Sequence, residues 1–348
     1  MRPDRQPRPD ASAAGAGAAA GAAAVGALPG GQHAGLMSNA PVVVGVDGSD
    51  HSLLALEWAR TAALRHGAPL VVAHVLPDSA QLYAARRSSL ADPSQPQEYA
   101  DPVGVRVRDV LAGAAGLPEQ VRYDALEGSV PEALRVAGEG SRMLVMGSRG
   151  RGGFAALLLG SNSRAVASTA ACPVVVVPHD ARRAADAPAD PSGGPVVLGL
   201  HAAETPDDVL VFAFTEAAAR GTTVQVVSAY AIPPAPTTVV DSPFQVIPPE
   251  GLADDGNAVP AEREMLRSQT ERLAPLRKRW PGVRVEQAAV PGDAAERLVT
   301  ASRSAAVVVV GRHHPRRTVG SLTIGSVAHA VLHHAHGPVA VVPTLSAS

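Results

Sequence analysis

Cysteines and aromatic residues are scarce in this chain, and each scarcity limits what the protein can be. There is one cysteine in 348 residues, which excludes an internal disulfide framework and a zinc site built from cysteines. We expect that residue, Cys172, to pack as a small hydrophobe, because a proline and an apolar run follow it. Aromatic residues make up only 3% of the chain, so its cores must consist mainly of alanine, valine and leucine.

The chain also lacks a strong net charge and a long apolar run. Its formal net charge is -2 at pH 7, which argues against a nucleic-acid-binding protein, since these are normally basic. No apolar run approaches the ~20 residues of a membrane span. We therefore expect a soluble, cytoplasmic protein with no nucleic-acid or membrane partner, long enough for two domains and a spacer.

The N-terminal stretch Met1–Ala40 is rich in alanine and glycine after a basic start. We expect it to be disordered, because these residues bury too little apolar surface to offset the entropy of ordering. A signal peptide is disfavoured, since glycines interrupt the run and it has no leucine-rich centre. Met37 leads directly into the first apolar run, so an alternative hypothesis is that Met37 is the true start.

Short apolar runs alternate with helical patterns in the rest of the chain. The first five predicted strands are Pro41–Val46, Leu70–Val75, Val121–Ala125, Met143–Met146 and Val174–Val177. Between them we predict helices at Ser52–Arg65, with Leu54, Trp58 and Ala62 on its buried face, at about Val103–Ala115, after a capping box at Ser129–Glu132, and from Ser161. This alternation predicts an α/β fold with a parallel, doubly wound sheet.

The same pattern then begins again. Pro195–Leu200 repeats Pro41–Val46, and an alanine- and proline-rich linker, His179–Gly194, separates the two copies. We therefore predict two tandem modules, Pro41–Pro178 and Pro195–Leu345. Each should contain an open parallel five-stranded sheet with helices on both faces.

A glycine-rich loop in the first module suits a phosphate group. Gly147 and Gly150 follow a predicted strand, and after nine intervening residues Gly160-Ser161 begins a predicted helix. Helix N-termini offer backbone N–H groups to anions, and glycines let a ligand approach the backbone. A Walker A loop is excluded because no Lys-Ser or Lys-Thr pair follows the glycines, and the dinucleotide fingerprint is incomplete.

The spacing Gly-x2-Gly-x9-Gly-Ser, together with Val42–Asp50 (VVVGVDGSD), Ala73–Val75 (AHV) and the apolar run after Cys172, resembles the universal stress protein family. The resemblance implies a Rossmann-like, adenine nucleotide alpha hydrolase-like fold with strand order 3-2-1-4-5. It also implies ATP as the ligand, with an accompanying Mg²⁺ left open. Relatives pair through their last strands, here Val174–Val177 and Val339–Val342, so the resemblance favours a homodimer.

Carried over by position, the resemblance assigns a nucleotide-binding role to residues of four segments. The first segment lines the adenosine, the second bonds the adenine edge through its backbone, the third flanks the ribose and phosphates, and the fourth donates to the phosphates. No catalytic or metal-binding residue is assigned. The residues are Gly45, Val46 and Asp47; Val75; Met146, Gly147 and Gly150; and Gly160, Ser161, Asn162 and Ser163.

Two features of this site allow more than one interpretation. Asp47 is expected either to bind a ribose hydroxyl or a magnesium ion, or to bond its own backbone as a turn residue. Arg149 and Arg151 have the length to reach a triphosphate, but solvated loop arginines are the favoured interpretation.

The second module departs from the pattern. His201 replaces Asp47, His314 replaces the second glycine, and Pro315 removes a backbone donor. The helix start Gly325-Ser326 is kept, so an anion aided by Arg312, Arg316 and Arg317 is an alternative, but we predict that ATP binds this module weakly or not at all. A metal at His313, His314, His333, His334 and His336 is disfavoured, since adjacent histidines in such positions are usually solvated.

Three functions follow from these patterns. The first is an ATP-binding regulatory protein of stress responses, as the resemblance implies. The second is a protein-interaction scaffold that has lost nucleotide binding. The third, a slow ATPase, is disfavoured because the sequence offers no general base and no lysine beside the glycine loop.

Overall fold

Ten strands and eight helices make up the part of the chain that a computed structural model describes, which is residues 40–77, 101–150, 159–179, 193–230, 255–312 and 324–344. The predicted disordered stretch, apart from Ala40, and most of the linker lie outside these residues. The first module contains β1 (Val42–Val46), α1 (Asp50–His66), β2 (Leu70–Val75), α2 (Pro102–Ala112), β3 (Val121–Leu126), α3 (Val130–Ala137), β4 (Met143–Gly147), α4 (Ser161–Thr169) and β5 (Val174–Val177). The second contains β6 (Val196–Gly199), α5 (Asp207–Arg220), β7 (Val224–Tyr230), α6 (Asp255–Arg279), β8 (Val285–Pro291), α7 (Ala294–Ala301), β9 (Val307–Gly311), α8 (Ser326–His334) and β10 (Val339–Val342).

The strands form one sheet of ten, in the order β3-β2-β1-β4-β5-β10-β9-β6-β7-β8. Each half has the predicted order 3-2-1-4-5 with parallel neighbours, so the predicted fold class is confirmed. The halves are joined rather than separate, because β5 and β10 pair antiparallel with Val175 opposite Ala340. The two strands that were expected to mediate dimerisation therefore pair with each other within one chain.

Local sequence explains how several of the helices begin or end. Ser49 caps α1 by accepting a hydrogen bond from the backbone N–H of Ser52, and Gly67 ends it with φ of 58°. Asp293 caps α7 in the same way by accepting from Glu296 N. The capping box predicted at Ser129 is wrong in one respect, because Ser129 occupies the cap position of α3 but its side chain makes no capping hydrogen bond.

The core consists of two layers, one on each face of the sheet. Alternate residues of β1 divide between them: Val42 and Val44 pack with α1, α2, α5 and α6, whereas Val43 packs on the opposite face with α3, α4, α7 and α8. Both layers run through both modules. The predicted buried face of α1 is partly wrong, because Leu54 and Trp58 are only half-buried and Ala55 and Ala59 are fully buried.

A buried polar cluster joins α1 of the first module to α5 of the second. The Nε2 atom of His66 lies 2.6 Å from Oε1 of Glu216, and both side chains are at most 5% exposed. The second carboxylate oxygen of Glu216 accepts from Nε of Arg220 at 3.3 Å. The guanidinium of Arg220 lies 5.2 Å from the ring centre of Trp58, on α1. The two modules thus share a charged network as well as a sheet.

Candidate functional site

The predicted site residues of the first module lie at the carboxyl ends of three neighbouring strands. Gly45 and Val46 end β1, Val75 ends β2, and Met146 and Gly147 end β4. In an open doubly wound sheet, ligands bind in the crevice outside these ends, beside the strand at which the order reverses. The fold therefore brings these parts of the predicted site together.

Asp47 lies in the turn between β1 and α1. Its Oδ1 atom accepts hydrogen bonds from the backbone N–H of Ser49 at 2.9 Å and from the Ser49 hydroxyl at 2.6 Å. Its own backbone N–H donates to Oγ of Ser52 at 3.3 Å, and Gly48 has φ of 77°. The turn interpretation of Asp47 therefore applies to one of its two carboxylate oxygens.

The second carboxylate oxygen of Asp47 is directed towards the glycine loop. A Cβ placed on Gly150 would lie 2.7 Å from this oxygen, Oδ2. Any side chain at position 150 would thus displace Asp47 or move the loop itself. Gly150 therefore lets the glycine loop lie directly against the Asp47 carboxylate, with no Cβ between them.

A glycine is required at position 147 because the end of β4 packs directly against the start of α1. A Cβ on Gly147 would lie 2.7 Å from the backbone oxygen of His51, in the first turn of α1. This distance is shorter than atoms tolerate, and the backbone of a helix cannot yield as a side chain can. Gly147 thus allows β4 to end against the first turn of α1.

Helix α4 directs its N-terminus towards this edge. Gly160 is its cap residue and makes no side-chain capping bond, and the first helical hydrogen bond runs from Arg164 N to Gly160 O at 3.1 Å. The backbone N–H groups of Ser161, Asn162 and Ser163 precede that bond, so the helix itself supplies no acceptor for them. A helix start of this kind favours an anion.

The loop that leads to α4 is tied to the end of β4. The N–H of Gly160 donates to the Ser148 carbonyl at 2.7 Å, and the buried hydroxyl of Ser163 donates to the Gly147 carbonyl at 2.8 Å. The Ser163 hydroxyl therefore holds the loop, and donation from the Ser163 backbone N–H to a phosphate stays a prediction. Arg151 and the rest of residues 151–158 lie outside the described part of the chain.

Several ionisable side chains surround the crevice. The rings of His51 and His179 stack with their centres 4.3 Å apart. Burial, together with the charges of His179 and Arg149, lowers the pKa of His51 despite the opposing effect of Asp47 and Asp50. His51 is thus mostly uncharged at neutral pH.

The second module has a different set of groups at the equivalent edge. His201, which replaces Asp47, is 63% exposed at its side chain, and its backbone N–H donates to Oγ1 of Thr205 at 2.9 Å. A Cβ on Gly311 would meet only the side chains of Val209 and Pro206, at 3.3 Å and 3.6 Å. The hydrogen bond that closes the turn after the first strand is retained in this module. The carboxylate of Asp47 and the close contact of Gly147 with helix backbone have no counterpart here.

Arg312 does not have the role suggested by the sequence. Its Nη1 atom donates to the backbone carbonyl of Ala170 at 2.7 Å, at the C-terminal end of α4 in the other module. Burial lowers the pKa of this guanidinium. The expectation that Arg312 helps an anion bind the second module is therefore wrong, because its side chain is committed to α4. His313, His314, Pro315, Arg316 and Arg317 lie outside the described residues.

Sequence reasoning missed two side chains beside the Asp47 turn, His51 and Arg106 of α2. It also missed Asp101, the cap residue of α2, the helix that carries Arg106. The pair Asp101-Pro102 is a recognisable signal for a helix start, since aspartate favours the cap position and proline the first helical position. It would have placed the start of α2, but not its contacts.

The described residues contain neither a cluster suited to a metal ion nor a helix suited to a membrane. No group of three or more histidine, cysteine, aspartate or glutamate side chains there is arranged to hold a metal ion. Within the same residues, no helix combines the length and the apolar character that a membrane crossing requires.

Comparison with known proteins gives a consistent result. The model of the universal stress protein family matches residues 39–178 and again residues 194–343. The universal stress protein Rv2005c of Mycobacterium tuberculosis is 34% identical over 315 residues, which cover 86% of this chain and 96% of the relative. A universal stress protein of Mycolicibacterium smegmatis is 30% identical over 312 residues, with the same coverage of 86% and 96%.

A solved structure has the same fold. A universal stress protein of Archaeoglobus fulgidus superimposes with a TM-score of 0.56 at 18% sequence identity, covering 87% of this chain and 98% of that protein. The matching regions include both halves of the sheet.

Proposed function

Since the chain belongs to the universal stress protein family, we propose that its first module binds ATP and that it acts as a regulatory protein of the stress response. In this proposal the ribose or an accompanying Mg²⁺ lies against Asp47. The phosphates lie between Gly150 and the N-terminus of α4, and the adenine lies towards Val75.

One observation supports this proposal above the others. The loops after β1 and β4 approach so closely that a Cβ on Gly150 would lie 2.7 Å from the Asp47 carboxylate. Beside them begins α4, whose cap residue Gly160 makes no side-chain capping bond. A carboxylate, a glycine loop beside it and a helix N-terminus together provide the groups needed for a sugar hydroxyl and a phosphate chain.

The regulatory part of the proposal follows from where the ligand would lie. ATP would contact two loops that belong to different crossovers of the sheet and would restrict both. A ligand shifts a conformational equilibrium only as far as it binds one state better than the other. In our proposal the ordered loops form the surface that a protein partner recognises.

The second module is proposed to lack tight nucleotide binding, because His201 replaces the carboxylate and the Arg312 guanidinium is committed to Ala170. Calorimetric titration of the full chain with ATP should therefore give one site per chain. Substitution Asp47→Ala should weaken binding by about 10- to 100-fold, the range for hydrogen bonds to charged groups. The matched control His201→Ala should leave the affinity unchanged.

Two equal tight sites, or an Asp47→Ala variant that binds like wild type, would contradict the proposed ligand site. The alternative function is a protein-interaction scaffold. It is favoured by the β5–β10 pairing, which fixes the two modules as a preformed pair without any ligand. A complete absence of ATP binding, with the fold intact, would support the scaffold.

A further inference from the structure

The N-terminus of α2 is anchored to the sheet by three polar side chains. Asp101 caps the helix by accepting from the N–H of Val103 at 3.0 Å with Oδ1. Its other oxygen, Oδ2, accepts from the Tyr123 hydroxyl and lies 3.3 Å from Nδ1 of His74. His74 is 4% exposed and lies on β2, while Tyr123 lies on β3. The start of α2 is thus attached to two strands.

A glycine on α2 makes room for this anchor. A Cβ on Gly104 would lie 3.0 Å from Oδ2 of Asp101 and 3.3 Å from the Tyr123 ring. Burial opposes ionisation of Asp101, but hydrogen bonds from Tyr123 and the Gly104 backbone, with His74, hold its pKa below the usual value. A glycine inside a helix costs about 1 kcal/mol relative to alanine, and here it allows the aromatic ring to approach.

One turn further along the anchored helix, Arg106 reaches the Asp47 turn. Its Nη1 atom donates to the backbone carbonyl of Gly48 at 2.6 Å, and its Nη2 atom donates to Oδ1 of Asp50 at 2.7 Å. Gly48 and Asp50 lie on either side of Ser49, whose N–H and hydroxyl hold Oδ1 of Asp47. Arg106 therefore holds both ends of the segment that orients the Asp47 carboxylate.

We infer that Arg106 is a positioning residue for nucleotide binding: it holds the Gly48–Asp50 segment so that Asp47 faces Gly150. The consequence for affinity rests on the proposed function, whereas the effect on the turn does not. Arg106 acts on the ligand through Asp47 and not through the phosphates. The anchor formed by His74, Asp101 and Tyr123 fixes the helix from which Arg106 extends.

Because the contact between Arg106 and Asp50 is exposed, we expect its loss to change nucleotide affinity more than folding stability. The Arg106 and Asp50 side chains are 51% and 77% exposed, and exposed ion pairs add little to folding stability. Arg106→Ala should therefore change the melting temperature by no more than about 2 °C. It should weaken nucleotide binding by about 5-fold. This factor corresponds to the free energy of one strong exposed ion pair.

The test measures the affinities of adenosine, AMP and ATP for the full chain. The variants are Arg106→Ala, Arg106→Lys and the control Arg108→Ala, an exposed arginine on the same helix. We expect Arg106→Ala to weaken the ligands that Asp47→Ala weakens and to leave the others unchanged, Arg106→Lys to recover part of the loss, and the control to match wild type. In an Asp47→Ala background, Arg106→Ala should cause no further loss. A loss for a ligand that Asp47→Ala leaves unchanged, or a loss that adds fully to that of Asp47→Ala, would overturn the inference.

Amide hydrogen exchange without nucleotide tests the structural half separately. The Ser49 N–H donates to Asp47, so its exchange reports whether the turn is held. We expect about 5-fold faster exchange at Ser49 in Arg106→Ala and no change in Arg108→Ala. An unchanged rate would overturn the inference. If Ser49 exchanges faster in Arg106→Ala but the wild-type chain binds no ATP, Arg106 holds the turn and the proposed function is refuted.

Discussion

Glu216 offers a direct test of how the two modules are held together. Its carboxylate is buried between His66 of α1 and Arg220 of its own helix, with side-chain exposures of 2%, 5% and 1% respectively. Substitution Glu216→Gln keeps the shape of the side chain and removes its charge. It leaves the buried guanidinium of Arg220 without the carboxylate that compensates it.

The expected loss follows from this burial. Removing one partner of a buried ion pair typically costs about 3–5 kcal/mol, because the remaining charge stays desolvated. Total stabilities are commonly about 5–15 kcal/mol, so this loss would be a large fraction of the whole. The cation–π contact between Arg220 and Trp58, at 5.2 Å, is present before and after the substitution, so it does not reduce the expected loss.

Urea denaturation followed by circular dichroism measures the difference in unfolding free energy. The matched control is Glu271→Gln, which removes a carboxylate paired with Arg267 where both side chains are nearly 70% exposed. It should cost less than about 1 kcal/mol. If Glu216→Gln costs no more than the control, the buried network does not stabilise the chain as we argue.

The effect of Glu216→Gln should also depend on pH. Burial raises the pKa of Glu216, but the interactions with His66 and Arg220 outweigh this and hold the pKa below its ordinary value of 4.5. A carboxyl with a lowered folded pKa contributes stability above the unfolded pKa, and this is lost as the pH falls through the folded pKa. The difference between wild type and the glutamine variant should therefore be constant near neutral pH and shrink below about pH 4.5.

Two further predictions concern single residues. Gly147→Ala should destabilise the chain by about 1–3 kcal/mol, because the new Cβ meets helix backbone. The equivalent Gly311→Ala should cost less than about 1 kcal/mol, because its Cβ meets only side chains, at 3.3 Å or more. Thermal melts measure both losses, and equal losses would refute the argument. Cys172 is buried and burial raises its thiol pKa, so iodoacetamide should modify it at least about 100-fold more slowly in the native chain than in urea; comparable rates would show that the thiol is accessible.

Much of the fold could be predicted from short-range patterns. The apolar runs of β1 and β6, the glycines that end α1 and α5, and the glycine spacing around β4 are local signals, since each depends on the backbone conformation of a few neighbouring residues. Helix α6 was missed because charged residues and Pro275 interrupt its pattern. It is nevertheless helical, with Leu273 and Leu276 in the core.

The candidate site was predictable only in part. The glycines and Asp47 were recognisable because their spacing along the chain is fixed by a strand, a loop and a helix start. Arg106 was not, because it lies more than fifty residues from the turn that it holds. Its role depends on the place of α2 beside the strands β2 and β3, which no local pattern encodes.

Local patterns are enough to predict the repeat, the strand-and-helix alternation of each half and the position of the glycine loop, because these depend on residues close together in the chain. The folded chain was needed to find that β5 pairs with β10, that Glu216 contacts His66, and that Arg312 caps a helix of the other module. These contacts join residues far apart in sequence, and they form because the order of the strands brings their surfaces together.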